Sequence, residues 1–370
     1  MKKATALLPE NVEVSDMGEY TISQIKPGDR RALLQMDALL EQEGIERDKN
    51  LDYSIGLFDE DYGLAATGSC FSNTLRCLAV SSEHQGEGLL NQVISHLIEY
   101  QYSRGNTSLF LYTKCSTAKF FRDLGFYEIA RVDGKVVFME NRKNGFSDYL
   151  SGLKKETPDP GSKTSAAKIG AVIMNANPFT LGHRYLLGQA SAQVDLLHVF
   201  VVSEDVSLVP LSVRERLVRE GSADLKNLVY HRTGPYMISN ATFPSYFLKD
   251  SDTVIRSHAK LDIRVFTQIA QALGITERFV GEEPFSQVTN IYNQVMAEEL
   301  GTADIRCTVI PRIADKDGAI SASKVRALIK EGDWEALRGK VPECTYRYFT
   351  SDEAAGVIKK IRACDEVKHY

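Results

Sequence analysis

Residues 169–187 read IGAVIMNANPFTLGHRYLL, and this stretch decides the fold of the second half of the chain. Its first six residues form a short apolar run that predicts a buried strand. Asn175, Asn177 and Pro178 break the run, and a helix is expected to begin close to Gly182. The free N–H groups and positive dipole end of that helix would face the end of the strand. The stretch therefore predicts a binding site for an anionic ligand.

Strand and helix patterns alternate through the rest of this half. Strands are predicted at LLHVFVVSE (196–204), LVYHRTG (228–234), ERFVGEE (277–283) and CTVIPRI (307–313), and helices at LSVRERLVREGSADL (211–225), around NIYNQVMAEEL (290–300) and at 323–331. Apolar strands that alternate with helices indicate a doubly wound, Rossmann-like parallel sheet of the α/β class. Ligands of such sheets bind beyond the carboxyl ends of the strands.

The first half has a mixed pattern of the α+β class. Residues 53–81 predict strands joined by tight turns, and 88–105 predict an amphipathic helix. A strand (SLFLYTK, 108–114), a helix (TAKFFRDLGF, 117–126) and a last strand (KVVFME, 135–140) follow. A polar segment rich in Gly and Pro then separates the halves. We expect a domain at 1–141, a linker at 142–167, a second domain at 168–345 and a C-terminal helical extension at 346–370.

Composition limits the class of protein. The 370 residues carry a formal net charge of −5, which argues against a broad nucleic-acid-binding surface. No secretory signal or membrane-spanning run is evident. The six cysteines are scattered without metal-binding spacing, as is typical of reduced thiols in a cytoplasmic protein. We expect a cytoplasmic protein that binds neither nucleic acid nor membranes.

Two motifs in the second half resemble the signatures of the nucleotidyltransferase superfamily. TLGH (180–183) matches the second half of the HxGH signature, with Thr180 in place of the usual first His, and ISASKVR (320–326) matches ISxSxxR. His183 can donate to a phosphate oxygen, and Arg326 adds a fixed cation at a helix that a serine can cap. The resemblance implies an ATP-binding domain that transfers AMP with help from Mg²⁺. No residue is expected to ligate a metal itself.

The candidate residues of this site follow from the two motifs and from the strand ends. The candidate catalytic residues are His183, Thr180, Arg326 and Ser323. The candidate ATP-binding residues are Asn175, Asn177, Pro178, Phe179, Gly182, Gly281, Glu282, Ser321 and Lys324. Arg214 and Arg216 are within possible reach of the polyphosphate, although a charged helix face is the simpler interpretation.

A glycine turn in the first half resembles motif A of the GNAT acetyltransferases. In QGEG (85–88), Gln85, Gly86 and Gly88 match the segment that binds the pyrophosphate of coenzyme A, while Leu90 replaces the final small residue. STAKFFRDLGFYEIA (116–130) resembles the family's second signature. A strand that ends in such a turn offers backbone N–H groups to a pyrophosphate. The resemblance implies a GNAT-like domain, and we favour recognition of a coenzyme-A-like thiol over independent acetyl transfer.

Taken together, the segments resemble the citrate (pro-3S)-lyase ligase family. The resemblance rests on MNANPFTLGHRYL, SEDVSLVP, ISNATFPSYFLK, VGEEPFSQVTNIYNQ and GAISASKVR. It implies that ATP and acetate acetylate the phosphoribosyl-dephospho-coenzyme A thiol on the acyl carrier subunit of citrate lyase, with release of AMP and pyrophosphate. It also suggests that residues 238–250 belong to the site, with Thr242, Ser245, Tyr246 and Lys249 as candidate contacts for acetate or phosphate.

Three alternatives remain open from the sequence. The phosphate motifs also suit an adenylyltransferase that joins AMP to a phosphopantetheine-type or nucleotide acceptor. A sensor of nucleotide or coenzyme A would bind these ligands without turnover. The first half alone would, as a true acetyltransferase, transfer acetyl from acetyl-coenzyme A without ATP.

Overall fold

The computed structural model describes residues 20–158, 167–203, 207–237, 251–282, 287–315 and 318–364. This part of the chain divides into two compact units. The first unit holds residues 20–143, and the second takes in nearly all of the described residues from Asn144 onward.

The first unit is built on a seven-stranded mixed sheet with the order β1-β2-β3-β4-β5-β7-β6. Its strands are β1 (Thr21–Gln24), β2 (Tyr53–Phe58), β3 (Leu64–Phe71), β4 (Thr74–Val80), β5 (Phe110–Thr113), β6 (Tyr127–Val132) and β7 (Val136–Glu140). Its helices are α1 (Arg30–Gln42), α2 (Leu89–Ser103) and α3 (Ala118–Asp123). Leu89, Val93 and Leu97 of α2 are buried against the sheet, which confirms the predicted amphipathic helix.

Strands β4 and β5 separate along their length. They form the one parallel pair among the described strands of this sheet, and they are in register only at Thr74 with Phe110 and at Leu75 with Leu111. Both strands continue beyond that point, to Val80 and Thr113. The separated ends of β4 and β5 leave a cavity in the first unit. The predicted GNAT-like mixed sheet is confirmed.

The second unit contains a five-stranded parallel sheet with the order β10-β9-β8-β11-β12. Its strands are β8 (Ile169–Met174), β9 (Leu196–Val201), β10 (Leu228–Arg232), β11 (Glu277–Gly281) and β12 (Arg306–Ile310), and a short hairpin joins β13 (Ala314–Asp315) to β14 (Gly318–Ala319). The helices are α4 (Gly145–Glu156), α5 (Leu181–Ser191), α6 (Leu211–Gly221), α7 (Ser251–Leu273), α8 (Gln287–Gly301), α9 (Ala322–Glu331), α10 (Trp334–Arg338), α11 (Glu343–Phe349) and α12 (Ala355–Ala363).

The strand order creates a switch point between β8 and β11. The chain runs outward from β8 through β9 to β10, and it then returns to place β11 and β12 on the other side of β8. Crevices at the carboxyl ends of strands that flank such a reversal are the usual ligand sites of these sheets. The predicted doubly wound parallel sheet is confirmed, and its site is expected where Met174 and Gly281 end their strands.

Two predicted segments differ from the structure. Residues 145–156 of the expected linker form α4, because Phe146 and Leu153 supply an apolar face that is buried. The expected C-terminal extension contributes Tyr348, Phe349, Val357 and Ile361 to the core of the second unit. Within the described residues, both segments therefore contribute buried side chains to the second unit.

No helix in the described ranges is both long and apolar enough to cross a membrane. The six cysteines all lie within those ranges and are free thiols.

Candidate active site

A cavity of about 300 Å³ lies at the switch point of the second unit. It is lined by the ends of β8, β11 and β12 and by the first turns of α5 and α9. The predicted site residues among its lining are Asn175, Asn177, Thr180, Gly182, His183, Gly281, Ser321, Ser323 and Arg326. The two motifs, which are separated by more than a hundred residues in the sequence, thus meet in one crevice.

Thr180 and His183 cap the start of α5 together. The Thr180 hydroxyl accepts a hydrogen bond from the backbone N–H of His183 at 3.3 Å, and Nδ1 of His183 accepts the backbone N–H of Thr180 at 3.1 Å. This reciprocal capping satisfies two N–H groups that would otherwise lack partners at a helix start. It fixes the imidazole, because a ring nitrogen that accepts an N–H cannot carry a proton itself.

His183 is therefore neutral and carries its proton on Nε2. Burial, together with the smaller effect of the nearby positive charge of Arg312, lowers the pKa of His183 to about 4. The ring also stacks on Phe179, with 5.9 Å between centroids. Near neutral pH the side chain can donate one hydrogen bond from Nε2 toward the cavity, but it adds no positive charge.

Arg326 brings a buried cation to the same cavity from α9. Ser321 caps this helix by accepting the backbone N–H of Lys324 at 3.2 Å. Nη1 of Arg326 donates to the backbone carbonyl of Asn177 at 2.7 Å, and Nη2 lies 3.4 Å from the hydroxyl of Ser323. Burial lowers the pKa of Arg326, yet a guanidinium remains charged in proteins.

Gly182 allows the two motifs to approach each other. A Cβ atom at this position would lie 2.9 Å from the backbone carbonyl oxygen of Ile320, the first residue of ISASKVR. The sequence suggests that Gly182 admits a ligand to the backbone, but its close neighbour in the structure is the protein's own chain. The glycine is needed to join α5 to the loop before α9.

Arg312 is a site residue that the motifs do not reveal. It lies two residues beyond the end of β12 and lines the cavity, and its Nε donates to the backbone carbonyl of Glu282 at 2.6 Å. Burial lowers the pKa of Arg312, while the Glu282 carboxylate opposes that shift. A basic residue just beyond the predicted strand CTVIPRI is the signal that identifies it, since ligands bind at that edge of the sheet.

Four predicted residues are not among the described lining of this cavity: Pro178, Phe179, Glu282 and Lys324. Phe179 is fully buried in the core, where its contact with His183 makes it a support for the ring. Pro178 is also buried, and Lys324 is exposed. Glu282 contributes the carbonyl that holds Arg312.

Arg214 and Arg216, the two candidate arginines on α6, are not among the described residues that line the cavity. Arg214 is fully buried and donates to the backbone carbonyls of Asn175, Val202 and Val209 at 2.7–2.9 Å. It therefore ties together the segments that follow β8 and β9. Arg216 pairs with Glu353 at 2.7 Å instead.

The cavity of the first unit has a volume of about 590 Å³. Gln85, Gly86 and Gly88 line it, as expected from the glycine turn. Gly86 and Gly88 have left-handed φ angles of 96° and 77°, which favour glycine, and Gly88 is the N-cap of α2. Thr242, Ser245, Tyr246 and Lys249, the candidate substrate contacts, lie outside the described residues.

Comparison with known proteins identifies relatives that extend over both units. A family model described as the citrate lyase ligase C-terminal domain matches residues 169–349. A protein from Escherichia coli (strain K12) named citrate (pro-3S)-lyase ligase is 38% identical over 338 residues, which are 90% of this chain and 94% of that protein. A protein of the same name from Klebsiella pneumoniae is 37% identical over 319 residues, which are 85% of this chain and 91% of that one.

Solved structures show weaker similarity. Thermotoga maritima TmcAL bound with alpha-thio ATP is 16% identical, with a TM-score of 0.35, over 51% of this chain and 57% of that chain. An acetyltransferase of the GNAT family from Staphylococcus aureus is 14% identical, with a TM-score of 0.29, over 33% of this chain and 97% of that chain. Similarities at this level say nothing about function.

Proposed function

This chain belongs to the citrate (pro-3S)-lyase ligase family and is an enzyme of that type, and we propose that it uses ATP and acetate to acetylate a thiol of citrate lyase. The thiol is that of a phosphoribosyl-dephospho-coenzyme A group on the acyl carrier subunit. The observation that carries the proposal is the cavity at the switch point of the second unit, in which TLGH, ISASKVR and Arg312 meet.

The first chemical step is adenylation of acetate. An acetate oxygen attacks the α-phosphorus of ATP, acetyl-adenylate forms, and pyrophosphate leaves. The backbone N–H of Gly182 in the first turn of α5 and Nε2–H of His183 donate to phosphate oxygens. Arg312 and Arg326 neutralise the charge that develops on the leaving pyrophosphate, which is how most phosphoryl-transfer sites stabilise their transition states.

Mg²⁺ enters this reaction with ATP. No carboxylate is found among the described residues that line the cavity. Within the described ranges there is also no group of three or more His, Cys, Asp or Glu side chains arranged to hold a metal ion. Proteins bind Mg²⁺ chiefly through carboxylates and substrate phosphates, so the described residues of the cavity do not fit a resident magnesium site. The MgATP complex is the substrate.

The second step is acetyl transfer to the thiol. The cavity of the first unit, with its left-handed glycines at the start of α2, suits the diphosphate and pantetheine parts of a coenzyme-A-like group. The proposal assigns the two units separate tasks: adenylation belongs to the second, and recognition of the thiol carrier belongs to the first. ATP and reduced thiols are both cytoplasmic, and we place the reaction there.

The deciding experiment incubates the enzyme with MgATP, acetate and deacetylated citrate lyase, and follows AMP and lyase activity. Exchange of labelled pyrophosphate into ATP is measured with and without acetate. We expect exchange that requires acetate, together with recovery of lyase activity. Acetate-independent exchange that needs a phosphorylated acceptor would identify an adenylyltransferase. ATP binding without AMP formation would identify a sensor, and acetylation from acetyl-coenzyme A without ATP would identify an acetyltransferase.

A further inference from the structure

Asn175 and Asn177 lie just beyond the end of β8 and line the switch-point cavity of the second unit. The motifs suggest that both bind ATP, yet neither side chain has a role in the adenylation step described above. Asn177 is only 8% exposed. A carboxamide buried to this extent needs hydrogen-bond partners for both its oxygen and its nitrogen.

Hydrogen bonds determine which end of each carboxamide faces the protein. Oδ1 of Asn177 accepts the backbone N–H of Val209 at 3.0 Å. Oδ1 of Asn175 accepts from the Ser207 hydroxyl and from Nη1 of Arg214, both at 3.0 Å. A backbone N–H and a guanidinium can only donate, so these contacts settle which atom of each amide is the oxygen.

The NH₂ groups of both side chains remain as donors for a ligand. Within the described ranges, no protein group accepts a hydrogen bond from Nδ2 of Asn175 or of Asn177. Only Ala176 separates the two residues, so the donors come from one short segment of the cavity wall. A buried amide without an acceptor is costly, and a ligand oxygen is therefore expected at this place.

A carboxylate suits these donors better than a phosphate does. In the proposed adenylation, Arg312 and Arg326 already meet the charge of the polyphosphate. A carboxylate that attacks phosphorus must stay nucleophilic, and a guanidinium paired with it would lower its pKa and hence its reactivity. Neutral amides hold a carboxylate without an opposing charge. Nη1 of Arg326 donates to the backbone carbonyl of Asn177, so a cation for the phosphates lies next to these amides, as the attack requires.

We propose that Asn175 and Asn177 bind the carboxylate of acetate through their NH₂ groups and hold it for attack on the α-phosphorus of ATP. Ile173, Met174 and Ala176 line the cavity beside them, which favours an aliphatic monocarboxylate over an acid with a second charged group. A carboxylate oxygen forms the new bond to the α-phosphorus. The bond from this phosphorus to the oxygen that bridges to the β-phosphate breaks, and pyrophosphate leaves with the electron pair. This inference rests on the proposed function.

The test separates the acid from the nucleotide in the exchange reaction of the full-length enzyme. The KM for acetate is measured at saturating MgATP, and the KM for MgATP is measured at saturating acetate. Asn177→Asp keeps an oxygen for the Val209 N–H but replaces the donor with a second oxygen. We expect the KM for acetate to rise roughly ten- to a hundredfold, as when a hydrogen bond to a charged group is lost, and the KM for MgATP to stay within about threefold.

Two further variants test the lost donor and the neighbouring amide. Asn177→Leu removes the NH₂ group without adding a charge, and it should raise the KM for acetate in the same way. Denaturant unfolding is measured alongside, because the buried N–H of Val209 then loses its acceptor. Asn175→Asp retains an acceptor for Ser207 and Arg214, and it should also raise the KM for acetate at least tenfold.

Asn227 provides the matched control in the same unit. Its Nδ2 donates to the backbone carbonyls of Ser191 and Val194, both at 2.9 Å, and it is not among the described residues that line the cavity. Asn227→Asp should lower the stability of the protein and leave both KM values within about twofold.

Three outcomes would overturn the assignment. Equal rises in the two KM values would show that the amides bind a phosphate, and an unchanged KM for acetate in the Asp variants would remove them from the acid site. Exchange with malonate as efficient as with acetate would contradict the substrate class. Failure of the proposed function gives a different result, because the wild-type enzyme would then show no acetate-dependent exchange.

Discussion

The structure fixes the tautomer of His183, because Nδ1 accepts the backbone N–H of Thr180. In the proposed function, the proton on Nε2 is therefore the one that is donated to a phosphate oxygen. His183→Ala should lower acetate-dependent exchange on the order of a hundredfold without unfolding the protein, as expected when one charge-stabilising donor is lost. Unchanged exchange would remove His183 from the reaction.

The pH dependence of exchange tests the same assignment. Since the pKa of His183 is lowered to about 4, the ring stays neutral at and above ordinary assay pH. Protonation on acidification would displace the Thr180 N–H from Nδ1. We therefore expect no contribution of His183 to the rate profile between about pH 6 and 8, and a loss of exchange as the pH falls toward 4. A rate that falls already near the ordinary pKa of histidine, about 6.5, would show that the pKa of the ring is not lowered in the working enzyme.

Arg312 should matter as much as the motif residues. Arg312→Ala is expected to reduce exchange about ten- to a hundredfold, because one of the two arginines among the described lining residues is lost. It should also move the acidic limb of the rate profile to higher pH, since the charge of Arg312 helps to lower the pKa of His183. Arg306→Ala, an exposed arginine on the same strand β12, is the control and should change neither quantity. Equal effects of both variants would indicate a general loss of β12.

Side-chain roles are less readable from the sequence than side-chain positions. The motifs predict that Thr180, His183, Ser323 and Arg326 lie close together, and all four line one cavity. They do not reveal that Phe179 is buried beneath His183, because ring packing depends on residues that come together only on folding. Arg312 belongs to no sequence motif. Its side chain is held in place by the backbone carbonyl of Glu282, which directly follows the neighbouring strand β11.

At the scale of elements, both units place a helix start at the end of a strand, but they stabilise it differently. Helix α2 begins after Gly88 in a left-handed conformation without a side-chain cap, whereas α5 begins with the reciprocal Thr180–His183 cap. The apolar patterns predict all five strands of the second sheet and β2–β5 and β7 of the first, whereas β1 and β6 are not among the strands predicted from them. Helix α7 has no counterpart among the predicted elements. The sequence also does not predict that Arg214 holds the segments after β8 and β9 together, because the three backbone carbonyls that it contacts come from separate segments.

The contact between α5 and the loop before α9 can be tested at Gly182. An added Cβ would come within 2.9 Å of the Ile320 carbonyl oxygen, and backbone cannot move aside cheaply. Gly182→Ala should therefore cost about 1–3 kcal/mol of unfolding free energy and lower exchange, because the two motifs are forced apart. Gly188→Ala in the same helix meets only the flexible end of Arg184, and it should leave stability unchanged or raise it by up to about 1 kcal/mol. Denaturant unfolding and acetate-dependent pyrophosphate exchange are measured for both variants. Equal behaviour of the two variants would contradict the proposed contact.

At the scale of the whole molecule, the composition of the chain predicts two domains, and the structure divides close to the expected boundary, between Lys143 and Asn144. What the sequence does not convey is that residues beyond 345 complete the core of the second unit. Tyr348, Phe349, Val357 and Ile361 come from short helices whose apolar positions are too few to suggest burial by themselves. Each unit nevertheless has its own core and its own cavity, so the two chemical steps should respond to different substitutions.

A substitution at Gly86 should separate the adenylation step from the acetyl-transfer step. Gly86 lines the first-unit cavity with a φ of 96°, and a Cβ there would meet nothing within 4 Å, so a larger side chain would project into open space. Gly86→Val should raise the KM for deacetylated citrate lyase at least tenfold by obstructing the thiol carrier, while acetate-dependent exchange stays within about twofold.

Gly105→Val is the matched control, because Gly105 has a φ of 82° and equally open surroundings but is not among the described residues that line the cavity. The backbone strain is therefore similar in both variants, and only the cavity distinguishes them. If both variants lose transfer alike, strain explains the loss. If Gly86→Val loses exchange as well, the two units do not carry separate steps.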